Sequence, residues 1–424
     1  MTGYAGTGTM LRLALRRDRV IVPISIVFLV LLAGGSAQAT VALYNEPSAA
    51  ATAAKAVNAS PALVGLYGPI ADPTNPDSVA AFKTITMGAI FVALLAYALV
   101  RRHTRTEEES GRTELLGAGV LGRKAGLTAA VILSAAVVAV TSLLASLSLI
   151  ANGLGAAGSF AFGAFWLGVG LTFTGVTAVA AQLTQTARGC AAWSLGTLGV
   201  AYALRAVGDT STGPASALTW LSPFGWGEKL EVFGSNRFVV LLIPIAVTAA
   251  LIATAYALLE RRDLGAGLLA TRPGPARGAP TLRSPLALAW RLQRGALYGW
   301  LIGFALLGLV LGGVATNVGD FVSDPNVGDM LRQLGGDAPT LSDVFLSAEI
   351  SFIAIAAAAY GISASLRLRS EEANGHAEQV LATRTSRPAL LWSHATIALV
   401  GSAARRIVFG LGVAVPSAGS GGDL

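Results

Sequence analysis

The sequence predicts an all-α protein: a polytopic bundle of transmembrane helices, built as a tandem duplication of a six-helix half with the second half incomplete. Three observations lead there. Of 424 residues, 54% are hydrophobic and 12% charged, with a mean hydropathy of +0.64, whereas soluble chains carry roughly 25% charged residues. The apolar residues fall in nine blocks of about 20, long enough to cross a ~30 Å hydrocarbon core as helices. The charges lie almost entirely between those blocks. This pattern excludes an ordinary soluble enzyme. It also excludes disorder, which needs few apolar residues and high net charge.

The expected spans are 20–43, 82–100, 126–150, 157–185, 188–204, 238–259, 296–316, 345–366 and 390–415. A cytoplasmic N-terminus puts 1–19, 101–125, 186–189, 260–295 and 367–389 inside, and these hold 22 Lys/Arg against 10 Asp/Glu. The segments 44–81, 151–156, 205–237 and 317–344, with Lys83, hold 6 basic and 11 acidic residues. The Lys/Arg bias sets orientation. The expected location is therefore the plasma (inner) membrane, multi-pass, with the lipid bilayer as surroundings. The same rule explains the net charge of +7, so no nucleic-acid partner is expected.

At the N-terminus, Arg12, Arg16, Arg17 and Arg19 precede an apolar run that ends near Ala37-Gln-Ala39, which imitates a secretory signal. A retained first span behind an interfacial helix is the expectation, because the pattern returns internally. Leu11-Arg-Leu-Ala-Leu-Arg-Arg-Asp-Arg19 aligns with Leu286-Ala-Leu-Ala-Trp-Arg-Leu-Gln-Arg294, and Glu107-Glu-Glu-Ser-Gly-Arg-Thr-Glu114 aligns with Glu371-Glu-Ala-Asn-Gly-His-Ala-Glu378. Two fused halves explain both matches: residues 1–265, a Gly/Pro/Arg-rich cytoplasmic linker at 266–285, and 286–424. Six spans in the first half make the repeats parallel.

The chemistry-bearing residues are few. Cys190 stands alone, and His103, His376 and His394 are far apart, so neither a disulfide framework nor a metal site is expected. The stretch nearest a phosphate loop, Gly117-Ala-Gly-Val-Leu-Gly-Arg-Lys-Ala125, carries arginine where lysine must stand and no hydroxyl follows. No catalytic residue is expected. Ion coupling places ionisable groups inside the membrane, and the spans are nearly free of carboxylates, with Glu349 the exception. Gln182 and Gln185 are expected at a cytoplasmic helix end. The Gly-rich 158–175 and Gly308-Leu-Val-Leu-Gly312 read as close helix packing. Trp220-Leu-Ser-Pro-Phe-Gly-Trp-Gly-Glu228 reads as a re-entrant segment or an aromatic belt.

The acidic motif is the strongest functional signal. Carboxylates oppose the arginine bias of their own loop. On a helix Glu107 and Glu114 share a face, Glu108 and Arg112 pair at i, i+4, and Leu115 and Leu116 add an apolar patch. Either the loop is a solvated one with internal ion pairs, or it docks a cytoplasmic partner. A lysine at Glu107 or Glu114 is expected to uncouple transport at a folding cost within roughly 0.5 kcal/mol, as for a surface change.

An interfacial helix, six spans and an acidic loop after the second span resemble the ABC-2-type permeases. The duplication and Ala/Gly-rich composition are similar to actinobacterial polyketide-antibiotic (tetronasin-type) and multidrug exporter permeases. The resemblance implies a membrane subunit exporting hydrophobic antibiotics or drugs, without ATP binding of its own. A separate ATP-binding-cassette ATPase, in two copies, would carry ATP and Mg. It implies that the loop seats on that ATPase as a coupling helix, through Glu107, Glu108, Gly111, Arg112 and Glu114 and through Glu371, Glu372, Gly375 and Glu378. The segment 220–228 falls where that family has external re-entrant helices. The alternatives are an ion-coupled secondary exporter and a non-transporting membrane scaffold.

The ninth span departs from its counterpart by placing Arg405 and Arg406 at its centre, each costing roughly 2.5–3.5 kcal/mol on insertion. The expectation is that the sequence follows the family to about Ser402, that the arginines snorkel, and that Val413–Leu424 is linker rather than helix.

Overall fold

The computed structural model describes residues 3–43, 47–113, 121–211, 213–263, 265–269, 276–322, 358, 360–373 and 375–419. Among these, no strand occurs and the chain is helical nearly throughout. It divides into two compact units, Met1–Arg272 and Pro273–Leu424.

In the first unit, α1 (Thr7–Arg17) is a short amphipathic helix that buries Ala14. It stops because Asp18 takes the C-cap, its N–H bonding the Ala14 carbonyl. Then follow α2 (Ile21–Leu43), α3 (Pro47–Ala59), α4 (Pro61–Tyr67) and α5 (Pro76–Arg102). Asn75 caps α5 by accepting from the Asp77 N–H at 3.0 Å, with Pro76 at its first turn and Arg101 and Arg102 at its last. These residues suit the helix dipole at both ends. The short α6 (Arg105–Glu109) leads to α7 (Ala125–Ala151), α8 (Ala156–Leu183), α9 (Ala187–Thr210), α10 (Gly225–Leu230) and α11 (Leu242–Glu260). A 3-10 segment, Gly213–Leu221, precedes α10.

Helix α8 is the axis of this unit and packs on α5, α7, α9 and α11. Its glycines let neighbours approach, as the 158–175 pattern implied. Trp166 is fully buried, lies where a Cβ on Gly88 of α5 would stand, and donates its indole N–H to the Ile85 carbonyl at 3.1 Å. Cys190 is free and buried, consistent with a packing role.

The second unit contains α12 (Pro285–Val322), α13 (His376–Leu381) and α14 (Arg387–Gly419), with residues 360–373 also helical. Helices α12 and α14 cross closely where Gly308 meets Gly412. The aligned stretches of the two units differ locally. Asp18 ends α1, whereas its counterpart Gln293 lies inside the continuous α12 and bonds His394 at 3.0 Å.

Among the described residues, eight helices are long and apolar enough to cross a membrane: Ile21–Ala42, Pro76–Glu109, Ala125–Ala151, Ala156–Leu183, Ala187–Thr210, Phe238–Glu260, Pro285–Leu309 and Arg387–Val415. They match eight of the nine expected spans. The other, 345–366, lies mostly outside the described residues, as does Glu349.

Two expectations are corrected. The fifth span does not end at 204: α9 continues to Thr210 and carries Arg205 and Asp209 in its last turns, so ionisable groups do sit in a span. The ninth segment is not cut short: α14 runs unbroken through Arg405 and Arg406 to Gly419. Arg405 does not snorkel. It is fully buried, its guanidinium 3.8 Å from the Tyr360 ring, 5.1 Å from Phe304 and 5.8 Å from Trp300. Its Nε and Nη2 donate to the Gly401 carbonyl and Ser402 Oγ, both at 3.1 Å. Aromatic faces and helix carbonyls replace water around the cation, which removes the reason to break the helix.

Candidate functional site

The acidic motif folds inward onto the arginines of its own unit. Glu108, on α6, accepts from two guanidiniums. Arg105 Nη1 reaches its Oε2 at 2.7 Å, and Arg262, just past α11, clamps both oxygens at 2.6 and 2.9 Å. Arg105 is fully buried and also donates to the carbonyls of Ala181 at 2.5 Å and Ala266 at 2.7 Å. Arg262 Nε donates to Gln182 Oε1 at 2.7 Å. One carboxylate thus gathers α6, the end of α8, the end of α11 and the chain beyond it. Gln182 does sit at the end of α8.

The neighbouring acids take other partners. Glu107 pairs with Arg17 at the end of α1 and with Arg112 at 3.7 Å. Glu109 Oε2 accepts the Ala187 N–H at 2.9 Å, at the first turn of α9, where the helix dipole favours a carboxylate. Asp18 completes the ring, ion-paired with Arg102 at 3.0 Å and hydrogen-bonded to His103 at 2.5 Å. Burial and the nearby guanidiniums of Arg102 and Arg112 push Arg17 below its usual pKa, despite Asp18. Beside this ring is a cavity of about 360 Å³. Met10, Leu13, Ala14, Gly126 and Ala129 form its apolar wall, and Arg17, His103, Glu107 and Arg112 its polar rim.

These contacts correct the expected geometry. The pairing of Glu108 with Arg112 does not form, because Gly111 adopts φ 71° and ends the helical run after Glu109. Arg112 turns back to Glu107 instead and stays half exposed. Glu114, Leu115 and Leu116 lie outside the described residues. The charge surplus of the loop is met within the chain: Glu107 is 12% exposed and Glu108 11%. A lysine at Glu107 would face two arginines, so its cost exceeds that of a free surface site. Arg123, in the stretch compared with a phosphate loop, caps α11 by donating to the Leu259 carbonyl at 3.0 Å and to that of Arg262.

In the second unit, Glu371 pairs with Arg367 at 2.5 Å and His376 at 3.1 Å. Glu372 and Glu378 are exposed, and Gly375 adopts φ 73°. Among the described residues no cluster of His, Cys, Asp or Glu could hold a metal.

Sequence reasoning missed Arg105 and Arg262 as partners of the acids, and it missed a second cluster at the opposite end of the first unit. There Arg205, Asp209 and Glu228 are buried together. The i, i+4 spacing of Arg205 and Asp209 within an apolar run was the available signal. The segment 213–230 that supplies Glu228 is a 3-10 turn followed by α10. Trp226 is buried and donates to the Trp220 carbonyl at 2.7 Å, while Trp220 and Leu221 are exposed.

Comparison with known proteins agrees with this architecture. Residues 282–424 match the family described as the multidrug efflux system permease Rv1217c, C-terminal domain. Over 428 residues, 100% of this chain and 76% of the relative, it is 41% identical to the multidrug efflux system permease protein Rv1217c of Mycobacterium tuberculosis. The chain belongs to the family of multidrug efflux system permeases, and it is an integral membrane protein of all-α fold.

Proposed function

We propose that this permease is an ABC-2-type exporter subunit, energised by a separate ATP-binding-cassette ATPase in two copies that carries the ATP and Mg. Its cargo would be hydrophobic antibiotics or drugs, as for the tetronasin-type permeases it resembles. The N-terminus, the loop carrying Glu107–Glu109 and that carrying Glu371–Glu378 would face the cytoplasm, in line with the excess of Lys/Arg in those segments. The two halves would be 1–265 and 286–424, joined by the linker 266–285.

The observation that carries this reading is the double clamp of Glu108 by Arg105 and Arg262. A loop so fastened to the ends of α8 and α11 moves only with them, and through Glu107 and Glu109 with α1 and α9. A partner pressing on it would bias helix arrangement by differential contacts, which is what coupling requires. Glu107, Glu108, Gly111 and Arg112 then transmit rather than dock. Exposed Glu372 and Glu378, with Gly375, remain available to touch the partner, and Glu114 and Glu371 complete the two copies of the motif.

The test is reconstitution. The purified chain should hydrolyse no ATP, and addition of its cassette subunit should give hydrolysis that hydrophobic drugs stimulate. Drug export that persists after ATP depletion, with the proton gradient kept, would overturn the proposal in favour of ion coupling.

A further inference from the structure

The charge cluster at the far end of the first unit is not used by the coupling loop. Arg205 is fully buried in the last turns of α9. Its Nη1 lies 3.3 Å from Glu228 Oε1 and 3.5 Å from Asp209 Oδ2, and its Nη2 donates to the carbonyls of Gly65 and Leu66 at the end of α4. The guanidinium stacks 4.7 Å from the Tyr202 ring, and the Tyr202 hydroxyl donates to the Leu66 carbonyl at 2.6 Å. Thr219, in the 3-10 segment, donates to Asp209 Oδ1 at 2.8 Å. Glycine at 68 leaves room for the group: its φ is 93°, and a Cβ there would come 2.9 Å from Glu228 Oε1.

Charge and hydrogen bonding are both unbalanced in this cluster. Two carboxylates face one guanidinium, and all three side chains are more than nine-tenths buried. Asp209 Oδ2, although buried, accepts no hydrogen bond. Glu228 Oε1 and this oxygen flank the same Arg205 Nη1, at 3.3 and 3.5 Å. The donor that would satisfy this oxygen is a hydroxyl on Glu228, and the same proton would bring the cluster to neutrality. A buried unpaired charge is costly, and two carboxylates sharing a site retain a proton on one of them.

The surroundings supply no competing charge. Helix α8 has no ionisable residue, and α4 contributes only Tyr67. On α5, Lys83 is exposed and lies over Phe82; on α10, Lys229 lies over Trp220. Beyond α10, Glu231 pairs with Arg237 at 3.0 Å.

We propose that Asp209 and Glu228 form a proton-binding site, one proton held between two carboxylates against Arg205, that latches the segment 213–230 onto α4 and α9. Burial, and then the bond and charge of Asp209, push Glu228 well above the usual glutamate range. The folded protein therefore binds this proton more tightly than the unfolded chain. The latch is complete at low pH and weakens as pH rises from the ordinary glutamate range through the raised value.

Infrared spectroscopy and thermal unfolding of the full chain in detergent test it. The wild type should show a protonated-carboxyl band that disappears at high pH, and a melting temperature that falls over the same range. E228Q should lose both the band and the pH slope, because its amide donates the same hydrogen bond permanently. D209N should lose the band as well, since Glu228 then faces Arg205 without a like charge. A band that survives in E228Q, or an unchanged pH slope in both variants, would overturn the proposal. None of these readouts depends on the transport cycle.

Discussion

Gly111 and Gly375 make the same backbone turn: each is left-handed, φ 71° and 73°, and each donates its N–H to the carbonyl three residues earlier, Glu108 at 3.1 Å and Glu372 at 3.0 Å. The two positions correspond in the aligned acidic stretches. A helix, a left-handed glycine and a second helical start recur in both units, so the aligned sequences share a local shape and not composition alone. Only a residue without Cβ adopts this conformation at little cost.

Gly111→Ala should therefore destabilise the loop by about 1–2 kcal/mol, the cost of a left-handed non-glycine residue. Among the described residues no side chain stands within 4 Å of the added methyl, so the effect is conformational, and Gly111→Asn should cost less. Thermal unfolding of the three proteins in detergent gives the ranking. Equal melting temperatures for glycine and alanine would contradict it.

Glu108→Ala should be among the most damaging single changes in the loop. It strands Arg105 and Arg262, which are 0% and 3% exposed, and breaking a buried pair from one side costs roughly 3–5 kcal/mol. A double-mutant cycle with Arg262→Ala reads the pair directly. The double mutant should be less destabilised than the sum of the singles, because it removes charge from both sides.

Glu107→Gln should loosen α1 without preventing insertion. Arg17 and Arg112 would lose their shared counter-ion, and repulsion would push them apart. Protease accessibility of residues 1–19 should rise several-fold while the protein stays in the membrane fraction. Under the coupling reading, drug export falls in the same variant. Loss of the protein from the membrane would count against both.

Helix α14 should cross the bilayer completely. Its 33 residues extend about 50 Å at 1.5 Å per residue, more than a hydrocarbon core requires. Topology reporters placed after Thr385 and after Leu424 should report opposite sides. The same side for both would show that Arg405 and Arg406 keep the helix from inserting.

Composition and hydropathy were enough to set the class of protein. Apolar runs of about 20 residues leave a backbone no choice but helix in lipid, and eight of the nine expected spans stand as helices where composition put them. The sequence also located the acidic motif and its second copy, because glutamates among arginines are visible without coordinates. Tertiary structure alone decided what those glutamates touch. Glu108 meets Arg262 across 154 positions of sequence, and no local spacing encodes a contact made by helix ends that converge in space. The same holds for Arg205 and Glu228, which sequence patterning left 23 positions apart in the single external segment 205–237. Arg405 shows the limit from the other side: insertion energies for an isolated helix counsel a break, but three aromatic rings brought together by packing offset that penalty. Periodicity fixes which segments are helices. The partners of each buried charge depend on how those helices pack, and that is where the clamp on Glu108 and the cluster of Arg205, Asp209 and Glu228 arise.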